Sequence, residues 1–178
     1  GTAWRTATAE SNTFYEPLYA GRNGDRWYWK QLNQPGASVN AAISLSLPNT
    51  AGPNAVLTVW LQGYTVGNHT VKVRVNGSVA GLVSWSGKSQ KEGQLTGPAG
   101  WLQHESNTIK LELTSLGGVL VDAIDLRYPT ATGGSGQVLF EGEAGQKAYT
   151  LTHWPDANPW VFDVTEPLTP TQVISTQI

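Results

Sequence analysis

Aromatic side chains beside polar loops are the residues of this sequence best suited to chemistry, and the chemistry they suit is ligand stacking. The chain has 8 Trp and 6 Tyr. A flat ring stacks on the apolar face of a pyranose, with an aromatic contact contributing on the order of 1 kcal/mol beyond area burial. An aromatic residue at a strand end also caps the core, and both interpretations stay open. The candidates that flank polar loops are Tyr64, Trp85, Trp101, Trp154 and Trp160.

Carboxylates are the second candidate group. Asp122 and Asp125 lie three apart on a predicted strand, so they point to opposite faces and cannot share one ion without a β-bulge. One of them, with Glu16 and backbone carbonyls, could hold a structural Ca²⁺, which takes 6–8 oxygen ligands. The alternative is that these carboxylates pair with Arg or cap turns. If calcium is bound, we expect Asp122 or Asp125 among its ligands.

The sequence predicts no catalytic site. Zero Cys excludes a thiolate nucleophile. The three His are scattered without metal spacing, and His69 is predicted to be a structural hydrogen-bonding residue. Glu141 and Glu143 share a predicted strand face but have no partner motif. The Gly-rich segment 133–136 is neither a nucleophile elbow nor a phosphate loop.

Composition narrows the partners and the location. A net charge of −2 offers no basic footprint, so nucleic acid is excluded as a partner. No apolar run approaches the ~20 residues that span a bilayer. Only 13% of residues are charged, so the surface is built from small polar residues, as in extracellular β-modules. We expect a secreted or cell-surface location and, because Met is absent, a segment of a longer polypeptide.

Alternating polarity predicts the elements that position these residues. Residues 71–75 and 109–113 alternate strictly between apolar and charged, as in strands with one buried face. Asn76-Gly77 between two such runs predicts a type I′ hairpin. About eight short strands, without a helical repeat, predict an all-β, jelly-roll-like β-sandwich of the galactose-binding-domain type.

Three local predictions accompany this fold. Trp27 and Trp29 share a strand face and are both predicted to lie in the core, with Tyr28 on the other face. Trp60, inside an apolar run, is predicted to be core as well. Residues 86–100, rich in Gly, are predicted to form a long polar loop.

The chain divides into three segments by composition. Residues 1–130 are predicted to form the sandwich module and residues 131–136 a flexible linker. Residues 137–178 are predicted to be a short β-rich segment with strands near 138–140, 148–151 and 160–164. Because about forty residues bury little surface alone, this segment is an appendage or the start of a truncated following domain.

Five short blocks, in order along the chain, carry a resemblance to a known family. They resemble the region just upstream of the catalytic domain in gingipain-like cysteine peptidases, secreted bacterial enzymes with a caspase-type fold. The blocks are Asp25-Arg-Trp-Tyr-Trp-Lys30, His69-Thr-Val-Lys-Val-Arg-Val-Asn-Gly77, Asn107-Thr-Ile-Lys-Leu111, Val121-Asp-Ala-Ile-Asp-Leu-Arg-Tyr-Pro129 and Phe162-Asp-Val-Thr-Glu-Pro167.

The resemblance implies an accessory β-sandwich related in shape to the jelly rolls used as carbohydrate-binding modules. The family's catalytic His and Cys would lie beyond Ile178, so no catalytic residue is carried over. Two functions are therefore expected. The first is a non-catalytic accessory domain of a larger secreted gingipain-like peptidase, whose partners are other domains of the parent chain and a polysaccharide or glycan. The alternative is a stand-alone carbohydrate-binding module of a polysaccharide-active protein.

Overall fold

The computed structural model of the chain describes residues 1–133, 137–151 and 159–173. Two antiparallel sheets face each other across one hydrophobic core, so the predicted all-β jelly-roll-like sandwich is confirmed. The described strands are β1 (Trp4–Glu10), β2 (Phe14–Tyr15), β3 (Trp27–Tyr28), β4 (Lys30–Leu32), β5 (Ser38–Leu45), β6 (Ala55–Gly63), β7 (Asn68–Val75), β8 (Ser78–Ser86), β9 (Gln90–Gly97), β10 (Glu105–Leu113), β11 (Val119–Pro129), β12 (Val161–Asp163) and β13 (Thr171–Val173).

The strand order brings distant parts of the chain together. Sheet I has the order β1-β11-β6-β9, and β4 also pairs with β11. Sheet II has the order β5-β10-β7-β8. The short strands β2 and β3 pair with each other, as do β12 and β13. The first and last strands of the sandwich are therefore neighbours, and the strand β11 lies between β1 and β6.

The core lies between the inner faces of the two sheets. Alternate residues of β10 (Ile109, Leu111 and Leu113) are completely buried, and they face alternate residues of β6 such as Val59 and Leu61. Since successive side chains of a strand point to opposite faces, this burial is the physical cause of the alternation in the sequence.

The predicted hairpin joins β7 to β8. Asn76 and Gly77 both have positive φ, +47° and +87°, as a type I′ turn requires. The Asn76 side chain also donates to the Asn107 carboxamide and the Trp101 carbonyl, and it accepts the Thr108 N–H. The turn residue thus also fixes β10 to the hairpin.

The predicted polar loop over residues 86–100 is wrong, because β9 occupies most of it and pairs with β6. Ala99–Trp101 then forms a 3₁₀ turn. The inner face of β9 carries Gly93, where a Cβ would come within 2.5 Å of a Val83 methyl group. The close approach of the two sheets thus removes the apolar signal that marks a strand.

The prediction that Trp27 lies in the core is also wrong. Tyr28 is buried, whereas Trp27 is 43% exposed. The short strand β3 ends at Tyr28, and the N–H of Trp29 donates to the Val121 carbonyl as the chain turns to pair with β11. Trp29 packs partly buried against the core. The alternation of faces therefore does not continue from Trp27 to Trp29.

The segment after residue 136 has less regular structure than predicted. The predictions of strands near 138–140 and 148–151 are wrong for the described residues. In this part of the chain Glu141 forms only an isolated bridge with Trp4. The Arg5 Nε donates to the Leu139 carbonyl at 2.6 Å, so this segment runs beside β1. The third predicted strand corresponds to β12.

Part of the predicted linker, residues 134–136, lies outside the described residues, and the three-part division of the chain stays a prediction. Within 1–133, 137–151 and 159–173, no helix is long and apolar enough to cross a membrane.

Candidate functional site

A polar network covers part of the outer face of sheet I, centred on Asp125 of β11. Its carboxylate accepts hydrogen bonds from the Trp60 Nε1 at 2.9 Å, the Thr8 hydroxyl at 2.6 Å and the Arg22 Nη1 at 2.7 Å. The core position predicted for Trp60 is therefore wrong. Val59 and Leu61 on either side of it face the core, so alternation points Trp60 outward.

A β-bulge brings the second aspartate to the same network. The pairing of β11 with β6 shifts register between Val121 and Ala123, around Asp122. Asp122 is buried, and its carboxylate accepts the backbone N–H of Arg22 at 2.7 Å. The β-bulge that would bring the two aspartates together is therefore present, and both aspartates contact the same arginine.

Arg22 links three carboxylates to the segment between β2 and β3. Its Nη2 donates to Glu10 at 2.8 Å, its Nη1 to Asp125, and its backbone N–H to Asp122. Gly21 allows this approach, because a Cβ there would come within 2.8 Å of the Asp122 carboxylate. The segment 16–26 is thereby clamped onto sheet I.

The described residues do not fit the predicted calcium site. Asp125 is neutralised by Arg22, and Glu16 accepts the N–H of Leu18 within its own loop. Across the described ranges no three acidic or His side chains converge on an ion-sized space. Arg22 supplies the positive charge that an ion would bring. Calcium binding therefore stays a prediction, without a set of ligands among the described residues.

The two aspartates have opposite electrostatic environments. Burial acts to raise the pKa of Asp125, but the hydrogen bonds from Thr8, Trp60 and Arg22 outweigh it, and the pKa lies below its usual range. Burial raises the pKa of Asp122, only partly offset by the Arg22 N–H. Burial, with nearby Asp122, raises the pKa of Tyr28 to about 12. Asp125 is therefore the ionised partner of Arg22.

This environment predicts an acid-dependent loss of stability. Because the pKa of Asp125 is lower in the folded state, the unfolded chain binds more protons below the unfolded pKa of about 3.9. The contribution of Asp125 is complete above that pH and is lost as the pH falls through the folded pKa. Urea denaturation of wild type and Asp125→Asn should show a difference in free energy of unfolding that shrinks between pH 5 and pH 2.5. A difference that stays constant or grows on acidification contradicts the assignment.

An exposed aromatic pair lies at the β2–β3 pairing. Tyr15 is 52% exposed and stands directly opposite Trp27. The ring centroids are 5.2 Å apart with an interplanar angle of 61°. Neither residue is among the stacking candidates predicted from the sequence, and Trp27 was expected in the core. The burial of Tyr28 would have predicted the exposure of Trp27, because neighbouring side chains of a strand point to opposite faces.

Two of the predicted platform residues pack against the core at opposite ends of β7. The ring of Trp85 lies 5.0 Å from the ring of His69, the second residue of β7. Trp101 accepts from Asn76, which follows β7. At about 3.3 Å per residue, the two Trp are separated by most of the strand length. They form no common surface.

The other predicted residues are equally dispersed. Tyr64 donates its hydroxyl to Asn33 at 2.5 Å, and its ring lies against Gly118. Trp160 is 77% exposed on the β12 segment and stacks with Phe162 at 6.3 Å. Trp154 lies outside the described residues. The described members of the predicted set therefore form no common stacking surface. A ligand contact by any one of these residues stays a prediction.

His69 and a small cavity lie inside the sandwich. His69 is buried, with Nε2 placed 3.1 Å from the Thr65 carbonyl, consistent with its predicted structural role. A cavity between the sheets beside Leu95 and Trp101 has a volume of about 20 Å³. That is space for a single water molecule, so it cannot hold a sugar. This cavity is therefore not a candidate sugar site.

Comparison with known proteins shows a likeness of fold. No protein-family model and no curated protein sequence matches this chain. Dimeric latent PorU from Porphyromonas gingivalis matches 99% of this chain with a TM-score of 0.74 and 11% identity. This chain resembles a part of PorU. It covers 18% of the PorU chain, so most of that protein has no counterpart here.

One carbohydrate-binding module has a similar sandwich. A family 35 module from Clostridium thermocellum matches 67% of this chain and 90% of its own length, with a TM-score of 0.50 and 17% identity. A CBM36 module in complex with calcium and xylotriose gives a TM-score of 0.46 at 19% identity over 68% of this chain and 98% of its own length. Because PorU is gingipain-like, the resemblance carried by the sequence blocks is confirmed as a likeness of fold.

Proposed function

We propose that this chain is a non-catalytic accessory β-sandwich domain of a larger secreted gingipain-like protein, and that it binds carbohydrate. The observation that carries the accessory role is the extent of the likeness to PorU. It includes 99% of this chain, and thus residues on both sides of the predicted linker, within 18% of a longer chain. A module with that placement acts beside other domains of the same polypeptide.

The absence of catalysis in this domain rests on its chemistry. The chain has no Cys. The most buried carboxylates of the outer face, Asp122 and Asp125, are held by Arg22, and Asp125 is also bonded by Thr8 and Trp60. General acid or base catalysis needs a pKa near the operating pH, and the pKa of Asp125 lies below its usual range. Bond-making is therefore assigned to other domains of the parent, which we propose to be a peptidase.

Carbohydrate recognition is supported by the fold and by the surface. A family 35 carbohydrate-binding module has a similar sandwich, and this chain exposes aromatic rings next to polar side chains. The alternative function, a stand-alone carbohydrate-binding module, rests on the same likeness. A calcium ion would belong to either function, but it would require carboxylates other than those that Arg22 already holds.

The gene sequence beyond codon 178 separates the two functions. The accessory role predicts a following caspase-like domain that contains a His and Cys pair. A stop codon, or a following domain of a polysaccharide-active enzyme, would instead assign the stand-alone module. Neither result depends on whether this chain binds a sugar.

A further inference from the structure

We propose that Tyr15 and Trp27 form the sugar-stacking platform of this chain, an inference that rests on the proposed carbohydrate binding. The two rings are the exposed members of a cross-strand pair, 52% and 43% accessible. Aromatic rings stack on ligands only when a face is open to solvent. Trp85 and Trp101 fail this condition because they pack against the core.

Backbone hydrogen bonds on both sides of the pair hold β2 against β3. The Thr13 N–H donates to the Tyr28 carbonyl at 3.1 Å, and the Glu16 N–H donates to the Arg26 carbonyl at 2.9 Å. Tyr28, directly after Trp27, is fully buried and anchors β3. A ring fixed before binding loses little entropy when a ligand arrives, and preorganisation of this kind raises affinity.

The Arg22 clamp fixes the connection behind the pair. Segment 16–26 joins the two aromatic strands, and its Arg22 binds Glu10, Asp122 and Asp125 of sheet I. The clamp needs no ion, because Arg22 supplies the positive charge. Arg22 therefore holds the segment that joins the two aromatic strands against sheet I.

Polar groups flank the two rings. Glu16 follows Tyr15, and Asp25 and Arg26 precede Trp27. Glu16 uses its Oε1 to accept the Leu18 N–H, and Asp25 uses its Oδ1 to accept the Trp27 N–H. The second oxygen of each carboxylate has no described donor, and it can accept a hydrogen bond from a sugar hydroxyl.

The size of the surface favours a sugar over a protein partner. A stable protein interface buries about 800 Å² on each side. The exposed large apolar residues of β2, β3 and the segment between them are Tyr15, Trp27 and Leu18, and the sequence neighbours of the two rings are charged. Two aromatic rings can stack on one or two sugar rings, whose hydroxyls can bond to carboxylates.

Affinity electrophoresis of the purified chain tests the platform. Native gels containing soluble xylan, galactomannan or mixed-linkage β-glucan should retard the wild type relative to a non-binding reference protein. Trp27→Ala and Tyr15→Ala should each weaken the apparent affinity up to about tenfold, as the loss of one stacked ring predicts. Trp160→Ala tests the rival candidate, a Trp that is more exposed than Trp27 (77% against 43%), and it should migrate as the wild type does if Tyr15 and Trp27 form the platform. Melting temperatures verify that each variant is folded.

The outcomes separate the platform from the proposed function. Retardation lost in Trp160→Ala but kept in Trp27→Ala and Tyr15→Ala leaves carbohydrate binding standing and overturns the platform. Retardation kept in all three variants also overturns it. If no gel retards the wild type, carbohydrate binding and the platform are both wrong, while the accessory role is still judged by the gene sequence.

Discussion

Replacing Asp125 by Ala should lower the free energy of unfolding by about 3 kcal/mol. The change removes the acceptor of three donors, Trp60, Thr8 and Arg22, and leaves the Arg22 guanidinium with Glu10 alone. Removing one partner of a buried ion pair costs about 3–5 kcal/mol. The Asp125 side chain is 23% exposed, so the lower end of that range applies.

Urea denaturation at pH 7 measures this loss, with Glu92→Ala as the matched control. Glu92 is an exposed carboxylate on β9 of the same sheet. Its removal should change stability by less than about 0.5 kcal/mol. A loss in Asp125→Ala no larger than that in Glu92→Ala would show that the network does not hold segment 16–26.

Replacing Leu111 by Ala should cost about 2–5 kcal/mol, because it leaves a cavity in the centre of the sandwich. Leu111 is completely buried on β10, between Val39 of β5 and Val73 of β7. For a domain of this size, 1 kcal/mol corresponds to about 2–4 °C in melting temperature. Thermal melting should therefore show a decrease of roughly 10 °C.

Leu116→Ala is the control for this core substitution. Leu116 is 82% exposed in the loop before β11, so the same change of side chain removes almost no buried area there. Its melting temperature should match the wild type. Equal decreases in both variants would contradict the placement of β10 in the core.

The sequence predicts the strands in which burial of one face leaves an alternation of apolar and polar residues. Residues of β7 and β10 alternate because one face packs in the core and the other meets water. The strand β9 leaves no such pattern, since Gly93 faces the core where the sheets approach closely. The core prediction for Trp60 fails because it treats the run from Ala55 to Leu61 as apolar on both faces, although Thr58 shares the outward face with Trp60. Local sequence also cannot show that Asp125 binds the Trp60 indole.

The candidate site depends on contacts between distant residues, which spacing does not reveal. A separation of three on a strand places two aspartates on opposite faces, and only the bulge at Asp122 changes this. Arg22 lies 100 residues before Asp122 in the sequence. In the same way, the exposure of Trp27 follows from the end of β3 at Tyr28, which the continuous aromatic run conceals.

The central claim, that this domain binds without breaking bonds, is tested most directly by assaying turnover. The purified chain is incubated with the three polysaccharides of the retardation gels and with a protein substrate, and new reducing ends and new amino termini are measured. We expect retardation by a polysaccharide with no release of either product above the buffer blank. Product release by the purified chain that a single substitution within it abolishes would contradict the account.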